Sequence, residues 1–416
     1  MSVLRGERPR LVVFDVEGVL IPKNRYLFFE IRRKLSFSQF VRIIFYGLLY
    51  ELGLIPLKSA LGKMFKVFKG FKVEEFLQIF RQIPLMPDVE KVFKELRRRG
   101  CKTALISSGL PTFVVQELAS RLKADYAFGF SLEINNGVAT GEISGEVIEQ
   151  RGKLLVLKRI LEKEGLTLEN CVVVVDDRNN APMLLPEMLK IGYNPDFLVR
   201  LKVDHVVTGR LSEILLLINS EEPRKGALPS KNEVFRETIH ACGFTVPIVS
   251  SLVGQYAIAL LILAVTFLYI ASEVAMIDGR HIPIISWITR HAATHAELYE
   301  FATAPVFFAF GILLTLLLFP APAGSAAIAI FAIGDSTAAI FGKIFGKTTV
   351  PFNKGKTLEG LVAGLFFSFL AATVYVNPLK ALAGAATGMF VESLPLPISD
   401  NLIVPLTTGA LLTMII

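Results

Sequence analysis

The chain has 416 residues, 52% of them apolar, and carries 44 lysines and arginines against 37 acidic residues, a net charge of +7. Its mean hydropathy of +0.54 is high for a soluble protein, and the apolar excess is concentrated after residue 240. This length admits two or three domains. The basic balance comes without any aromatic-interleaved basic tract or nucleic-acid motif, so no nucleic-acid partner is expected. Cys101, Cys171 and Cys242 lie far apart in the chain, which predicts neither a disulfide framework nor a zinc site.

Nothing in Met1–Arg10 reads as a signal peptide, so the first domain is expected in the cytoplasm. Residues 1–218 read as α/β. Apolar runs at Leu11–Phe14, Thr103–Ile106 and Cys171–Val175, separated by helical stretches, predict a parallel sheet. Each run delivers a residue with chemistry: Asp15 in DVEGVL, Ser107 in ISSG, Asp176 in DDRNN. In open parallel sheets the site forms at the carboxyl ends of the strands, so these three are expected to converge.

Residues 22–87 interrupt this pattern with helical sequence. Two of its stretches, Tyr26–Leu35 and Phe40–Leu52, mix aromatics and leucines with Arg32, Arg33, Lys34 and Arg42. The plain reading is a helical subdomain with its own small core; the sharper one is a basic, aromatic surface against a membrane. Tyr126–Val147, with Asn135-Asn136-Gly137 inside it, predicts a hairpin. Asn194–Ile218 is expected to close the sheet domain.

DVEGVL, ISSG, Lys153 and DDRNNAPML together resemble the four motifs of the haloacid dehalogenase (HAD) superfamily, in particular its phosphoserine-phosphatase-like branch. The resemblance covers the first half of the chain and implies a Rossmann-like α/β domain whose insertion 22–87 is a helical cap. It implies Asp15 as nucleophile, Glu17 as general acid/base, Ser107 as phosphate ligand and Lys153 as the charge between nucleophile and phosphate. Asp15 and Asp176, with Asp177 and Asn180 beside them, would hold Mg²⁺. The chemistry is coherent, because an anionic nucleophile attacking an anionic ester needs cations to screen repulsion. Two positions depart from the pattern. Residue 17 is Glu where Asp is usual, and Asn180 stands where a second metal-site acid is common.

Asn219–Thr238, rich in charge with scattered Pro, Gly and Ser, reads as a linker. Beyond it come apolar segments at about 241–253, 255–277, 302–319, 324–342, 358–376, 380–394 and 400–416, predicting a polytopic all-α membrane domain over 239–416. The first is short and reads as a half-helix or re-entrant piece. Lysines at 343–356 mark a cytoplasmic loop. An even number of crossings must then separate them from the cytoplasmic N-terminal domain, which puts 280–300 inside and the C-terminus outside. His240, at a membrane edge, reads as interfacial; Glu273 and Glu300 read as anchors or site residues.

The densest chemistry lies in Gly334–Gly360. Asp335 falls inside an apolar segment, where an acid costs roughly 2.5–3.5 kcal/mol even on the lenient insertion scale and marks a functional site by default. Ala338, Gly342 and Gly346 recur every four residues, a small-residue face open to another helix or to a ligand. Lys343, Lys347, Lys354 and Lys356 follow. GDSTAAIFGKIFGK with KGKTLEG resembles the dolichol kinase/phytol kinase family of polytopic enzymes, as do RETIH from Arg236 and ES…DNLIVP near the end; phosphatidate cytidylyltransferases carry a related pattern. The resemblance implies CTP as phosphoryl donor and a polyprenol-, dolichol- or phytol-like lipid alcohol as acceptor. On this reading Asp335, Glu359, Glu392 and Asp400 converge on Mg²⁺. The lysines, with Glu359 and Asn401, hold the nucleotide, and the alcohol arrives through the small-residue face. No Walker-type glycine loop is present. The expected whole is a bifunctional membrane enzyme, phosphatase and lipid-alcohol kinase; the alternatives are a CDP-lipid synthase, a transporter, or a non-catalytic HAD module.

Overall fold

The computed structural model of the protein describes residues 10–23, 34–51, 53–218, 228–277, 282–292, 302–396 and 398–415. The chain divides into two compact units, Met1–Pro223 and Arg224–Ile416.

The first unit is built on β1 (Leu11–Phe14), followed by α1 (Phe37–Glu51), α2 (Leu57–Phe65), α3 (Val73–Arg81) and α4 (Val89–Arg98). Then come β2 (Lys102–Pro111), α5 (Thr112–Leu122), β3 (Tyr126–Asn135), β4 (Val138–Ser144), α6 (Gly152–Glu164) and β5 (Cys171–Val175). It closes with β6 (Leu189–Tyr193), α7 (Phe197–Arg200), β7 (His205–Val207) and α8 (Ile214–Ile218). The sheet runs β4-β3-β2-β1-β5-β6-β7. Every pairing is parallel except the β3–β4 hairpin. Central strands buried on both faces need continuous apolar runs, and β1 and β5 are buried throughout. Phe14 lies opposite both Leu105 and Val174, so the residues that follow the three strands emerge at one sheet edge. This is the α/β HAD fold that the motifs imply.

The hairpin turn is Asn136-Gly137, both at positive φ (49° and 76°), as a two-residue turn matching strand twist requires. The cap has its own core: Phe65, Phe68 and Phe76 are buried and pack edge-to-face, with Phe65 also against Phe130. Helix α1 is different, exposing Phe37, Val41, Ile44, Phe45 and Leu48. Most of the stretch Tyr26–Leu35, with Arg32 and Arg33, lies outside the described residues.

The second unit is helical: α9 (Lys231–Cys242), α10 (Thr245–Val253), α11 (Gln255–Ile277), α12 (Pro283–Ala292), α13 (Ala304–Leu318), α14 (Ala321–Phe345), α15 (Leu358–Ala372), α16 (Pro378–Ser393) and α17 (Asp400–Ile415). A small hairpin, β8 (Thr349–Val350) with β9 (Asn353–Thr357), joins α14 to α15. Among the described residues, Gln255–Met276 and Ala321–Phe345 are long and apolar enough to cross a membrane; α13, α15 and α17 are apolar but shorter. The expected linker 219–238 ends early. Ser230 caps α9, its hydroxyl accepting from Glu233 N while Glu233 reaches back to Ser230 N, so 231–238 are helical. Residues 219–227 and Glu300 lie outside the described residues.

Helix α14 is the centre of this unit, packing on α9, α13, α15, α16 and α17. Its small-residue face is filled by a helix. A Cβ on Gly360 of α15 would lie 2.5 Å from Ala338 O, and one on Gly364 3.0 Å from Ala338 Cβ. The expectation that a lipid alcohol enters along Ala338, Gly342 and Gly346 is therefore corrected: backbone-to-backbone packing of α14 on α15 leaves no room there.

Candidate active sites

In the first unit the three strand ends deliver a closed polar network. Asp15 Oδ1 accepts from Lys153 Nζ at 2.9 Å and from Val16 N at 2.8 Å. Lys153 Nζ also donates to Asn180 Oδ1 at 2.8 Å; Asn180 Nδ2 in turn donates to Asp15 Oδ2 and to Asp177 Oδ1. Ser107 Oγ donates to Glu17 Oε2 at 2.9 Å and accepts from Leu110 N at 2.9 Å, which aims it at the mouth of the sheet. All seven residues foreseen here, Asp15, Glu17, Ser107, Lys153, Asp176, Asp177 and Asn180, are brought together.

The acids are poised by burial. Burial and the Asp15 charge push the Glu17 carboxyl up to about 7. Burial also raises Asp176 well above its usual value, against the pull of Lys23, and raises Asp177 with help from Asp15. Burial alone would lower Lys153, but Asp15, Asp177 and Glu17 outweigh it and hold the ammonium above its usual value.

Asp15, Asp176 and Asp177 place oxygens within 4.8 Å of one another. Asp176 Oδ1 is buried without a hydrogen-bond partner, while Oδ2 faces the Lys23 ammonium at 2.5 Å. A buried orphan oxygen in an all-carboxylate set fits a hard cation such as Mg²⁺. Gly18 shapes this corner. Its φ is +80°, and a Cβ there would sit 2.1 Å from Asp176 Oδ2.

The second unit gathers a separate set. Asp335, in the middle of α14, accepts at Oδ2 opposite His240 Nδ1 of α9, 3.2 Å away, and Glu237, one turn before, completes a group within 4.8 Å. Lys356 of β9 pairs with Glu392 of α16 and lies 3.4 Å from Asp400 at the start of α17. Asn353, buried in β9, donates to Ser393 O at 3.2 Å and so holds the hairpin against the end of α16. Burial alone would lower the Lys356 ammonium; Glu392, Asp400 and Asp335 together hold it above its usual value. The break between α16 and α17 thus sets Glu392 and Asp400 on either side of one lysine. Buried Glu237 Oε2 and Glu392 Oε2 have no hydrogen-bond partner. As carboxylate oxygens beside Asp335 they fit a hard cation.

Several foreseen residues stand elsewhere. Glu359 turns to the Thr348 backbone N at 3.1 Å and does not join the acids. Lys343 pairs with Glu233, Lys347 and Lys354 are exposed, and Asn401 Nδ2 donates to Ala304 O at 3.2 Å, tying α17 to α13. The lysine cluster is one half-buried ammonium with three peripheral cations, because the hairpin points only Lys356 inward.

Residues 183–414 match the family described as the cytidylyltransferase family. The chain belongs to the cytidylyltransferase family. Residues 12–185 match the family described as haloacid dehalogenase-like hydrolase, so a HAD domain precedes the cytidylyltransferase-family half. Its relatives include the phosphoserine phosphatase of Archaeoglobus fulgidus, 32% identical over 185 residues, 44% of this chain and 52% of that protein. The phosphoserine phosphatase of Methanocaldococcus jannaschii is 29% identical over 213 residues, 51% of this chain and 99% of that one. A solved substrate-bound phosphoserine phosphatase complex covers 51% of this chain with 27% identity and a TM-score of 0.46. The chain spans about half the length of the Archaeoglobus relative.

In the cytidylyltransferase-family half, sequence reasoning read His240 as interfacial and gave Glu237 no role. Their signal was the spacing in RETIH, where residues 237 and 240 share a helix face. In the HAD domain it passed over Lys23 on Asp176, and Tyr50, whose hydroxyl reaches Asn179 while its carbonyl accepts from Arg178. These contacts join cap to site and have no local signature.

Proposed function

We propose that the protein is a bifunctional multi-pass membrane enzyme, a Mg²⁺-dependent phosphomonoesterase fused to a CTP-dependent kinase for an isoprenoid or other lipid alcohol. The observation that carries the kinase reading is the constellation of Asp335, Glu392, Asp400 and Lys356, three acids and one half-buried ammonium gathered beside the break between α16 and α17. Phosphoryl transfer asks for positioning and charge neutralisation more than covalent help. Asp335, Glu237 and Glu392 would hold Mg²⁺, which would neutralise charge on the triphosphate. Lys356 would exchange its carboxylate partners for phosphate oxygens, and Lys343, Lys347 and Lys354 line the approach of the nucleotide.

In the HAD domain Asp15 attacks the phosphorus, Lys153 offsets the charge between the two anions, and Ser107 holds the phosphate. Glu17, with a pKa near 7 and hydrogen-bonded to Ser107, is suited to protonate the leaving alkoxide and then to take a proton from the incoming water. Mg²⁺ on Asp15, Asp176 and Asp177 would screen the phosphate charge. The relatives named above act on phosphoserine by name; here the substrate class is a phosphomonoester.

A second reading, CDP-lipid synthesis, is favoured by the name of the family that the chain matches. Turnover of CTP by the purified full chain against a panel of prenols and diacylglycerol, with Asp335→Ala as control, tests the kinase. Loss of phosphatase activity in Asp15→Asn tests the HAD half; an unchanged rate would make that domain non-catalytic.

A further inference from the structure

A cavity of about 310 Å³ opens in the second unit between α9, α11, α12 and α13. Its walls are apolar: Ile239, Val265, Ile285, Ile288, Phe308 and Ala309 contribute most of them. Three hydroxyls lie on the wall, those of Thr266, Tyr269 and Thr289, and the first two are spent on backbone carbonyls. Thr266 donates to Ile262 O at 2.7 Å and Tyr269 to Ala302 O at 2.8 Å. Arg236, also on the wall, is paired with Glu237 at 3.0 Å.

His240 and Thr289 are the other polar groups on the wall, and His240 is the one in contact with Asp335. Its ring stacks on Phe308, centroids 4.5 Å apart and nearly parallel, and its Nδ1 is engaged by Asp335. Both contacts fix the imidazole, and Nε2 is the ring nitrogen left for a ligand. A chamber so largely apolar, whose guanidinium, that of Arg236, is already paired with Glu237, does not suit a nucleotide triphosphate. It suits a hydrocarbon chain that carries a single hydroxyl.

We infer that this cavity is the acceptor site, holding the hydrocarbon next to the hydroxyl of a lipid alcohol between α11, α12 and α13, with that hydroxyl on His240 Nε2 and the imidazole linking it to Asp335. The inference rests on the reading of this half as an enzyme of lipid alcohols and adds which face admits them. Acceptor and nucleotide then meet at Asp335 from two directions, the alcohol past His240 and the triphosphate past Lys356. Phe308 and Ala309 would set the tolerated bulk near the hydroxyl.

The test uses the full chain in nanodiscs, without nucleotide, and a geranylgeraniol analogue with a diazirine near its hydroxyl. Irradiation is expected to label peptides containing Val265, Ile288 or Phe308, and excess geranylgeraniol is expected to reduce that label at least fivefold. Its methyl ether, which cannot donate to His240, should compete several-fold less well, a difference that disappears in His240→Phe. Ala309→Trp should raise the lipid KM about tenfold and leave the nucleotide KM unchanged. Label that stays on outward residues such as Leu260 and Phe267 and resists competition would overturn the inference, whatever the variants do. The two readings fail separately. Competed label in the cavity without any phosphoryl transfer removes the kinase and keeps the site. Transfer that persists with label elsewhere removes the site and keeps the kinase.

Discussion

His240 Nδ1 lies 3.2 Å from Asp335 Oδ2, joining α9 to the middle of the long apolar helix α14, 95 residues later. His240 lines an apolar cavity, and the Asp335 charge is felt by Lys356, which pairs with Glu392 and Asp400. Asp335→Asn keeps the shape and removes the charge, so CTP turnover is expected to fall at least about 10²-fold, the scale of losing an electrostatic group from an active site. Phosphatase activity of the same preparation should not change; a parallel fall would indicate misfolding instead.

Lys356 separates a structural role from a functional one. Lys356→Met would strand Glu392, a fully buried carboxylate, without its counter-charge, a loss on the order of 3–5 kcal/mol for a buried pair. Thermal unfolding in detergent should show a clear drop in Tm. The double variant Lys356→Met/Glu392→Leu removes both charges and should recover most of that stability while CTP turnover stays lost. Recovery of turnover would mean that neither Lys356 nor Glu392 serves the reaction and that the pair is structural.

Glu17 makes a pH prediction. The unfolded carboxyl ionises near 4.5 and the folded one near 7. Between those values the folded state keeps a proton that the unfolded state has released, so this group's contribution to stability falls as pH rises through the window. The full loss is on the order of 3 kcal/mol. Glu17→Gln lacks the term, so its Tm advantage over the wild type should be small at pH 4.5, grow to pH 7 and level off above it. A flat difference across that range would contradict the raised pKa.

Gly18→Ala tests the metal corner. The new methyl group would meet Asp176 at 2.1 Å from a backbone at φ +80°, which displaces the carboxylate and strains the turn. Phosphatase activity should fall, and the Mg²⁺ concentration needed for half-activation should rise at least tenfold. An unchanged Mg²⁺ dependence would remove Asp176 from the metal set.

The HAD half was legible because its site is made of strand ends. Leu11–Phe14 and Cys171–Val175 are short, fully apolar and end on acids, so the strands and the residues they deliver follow from one pattern. Asn180 and Lys153 came from the motifs, and the network between them and Asp15 needed coordinates. The helical half was less legible. Asp335, Glu392 and Asp400 stood out as acids among apolar residues. By contrast, which of four lysines turns inward depends on a two-stranded hairpin pinned by Asn353, and Glu359 was lost to a backbone amide eleven residues away. Small-residue spacing identified a close packing surface but not its occupant, and helix α15 proved to be that occupant.

The most direct test gives the purified full chain CTP labelled at either the α- or the γ-phosphorus together with geranylgeraniol. The account predicts that γ-label appears in a lipid monophosphate while α-label leaves as CDP, and that both products vanish in Asp335→Asn. An unlabelled alcohol, with pyrophosphate released and α-label retained on lipid only when phosphatidate replaces geranylgeraniol, would contradict it and make this half a CDP-lipid synthase.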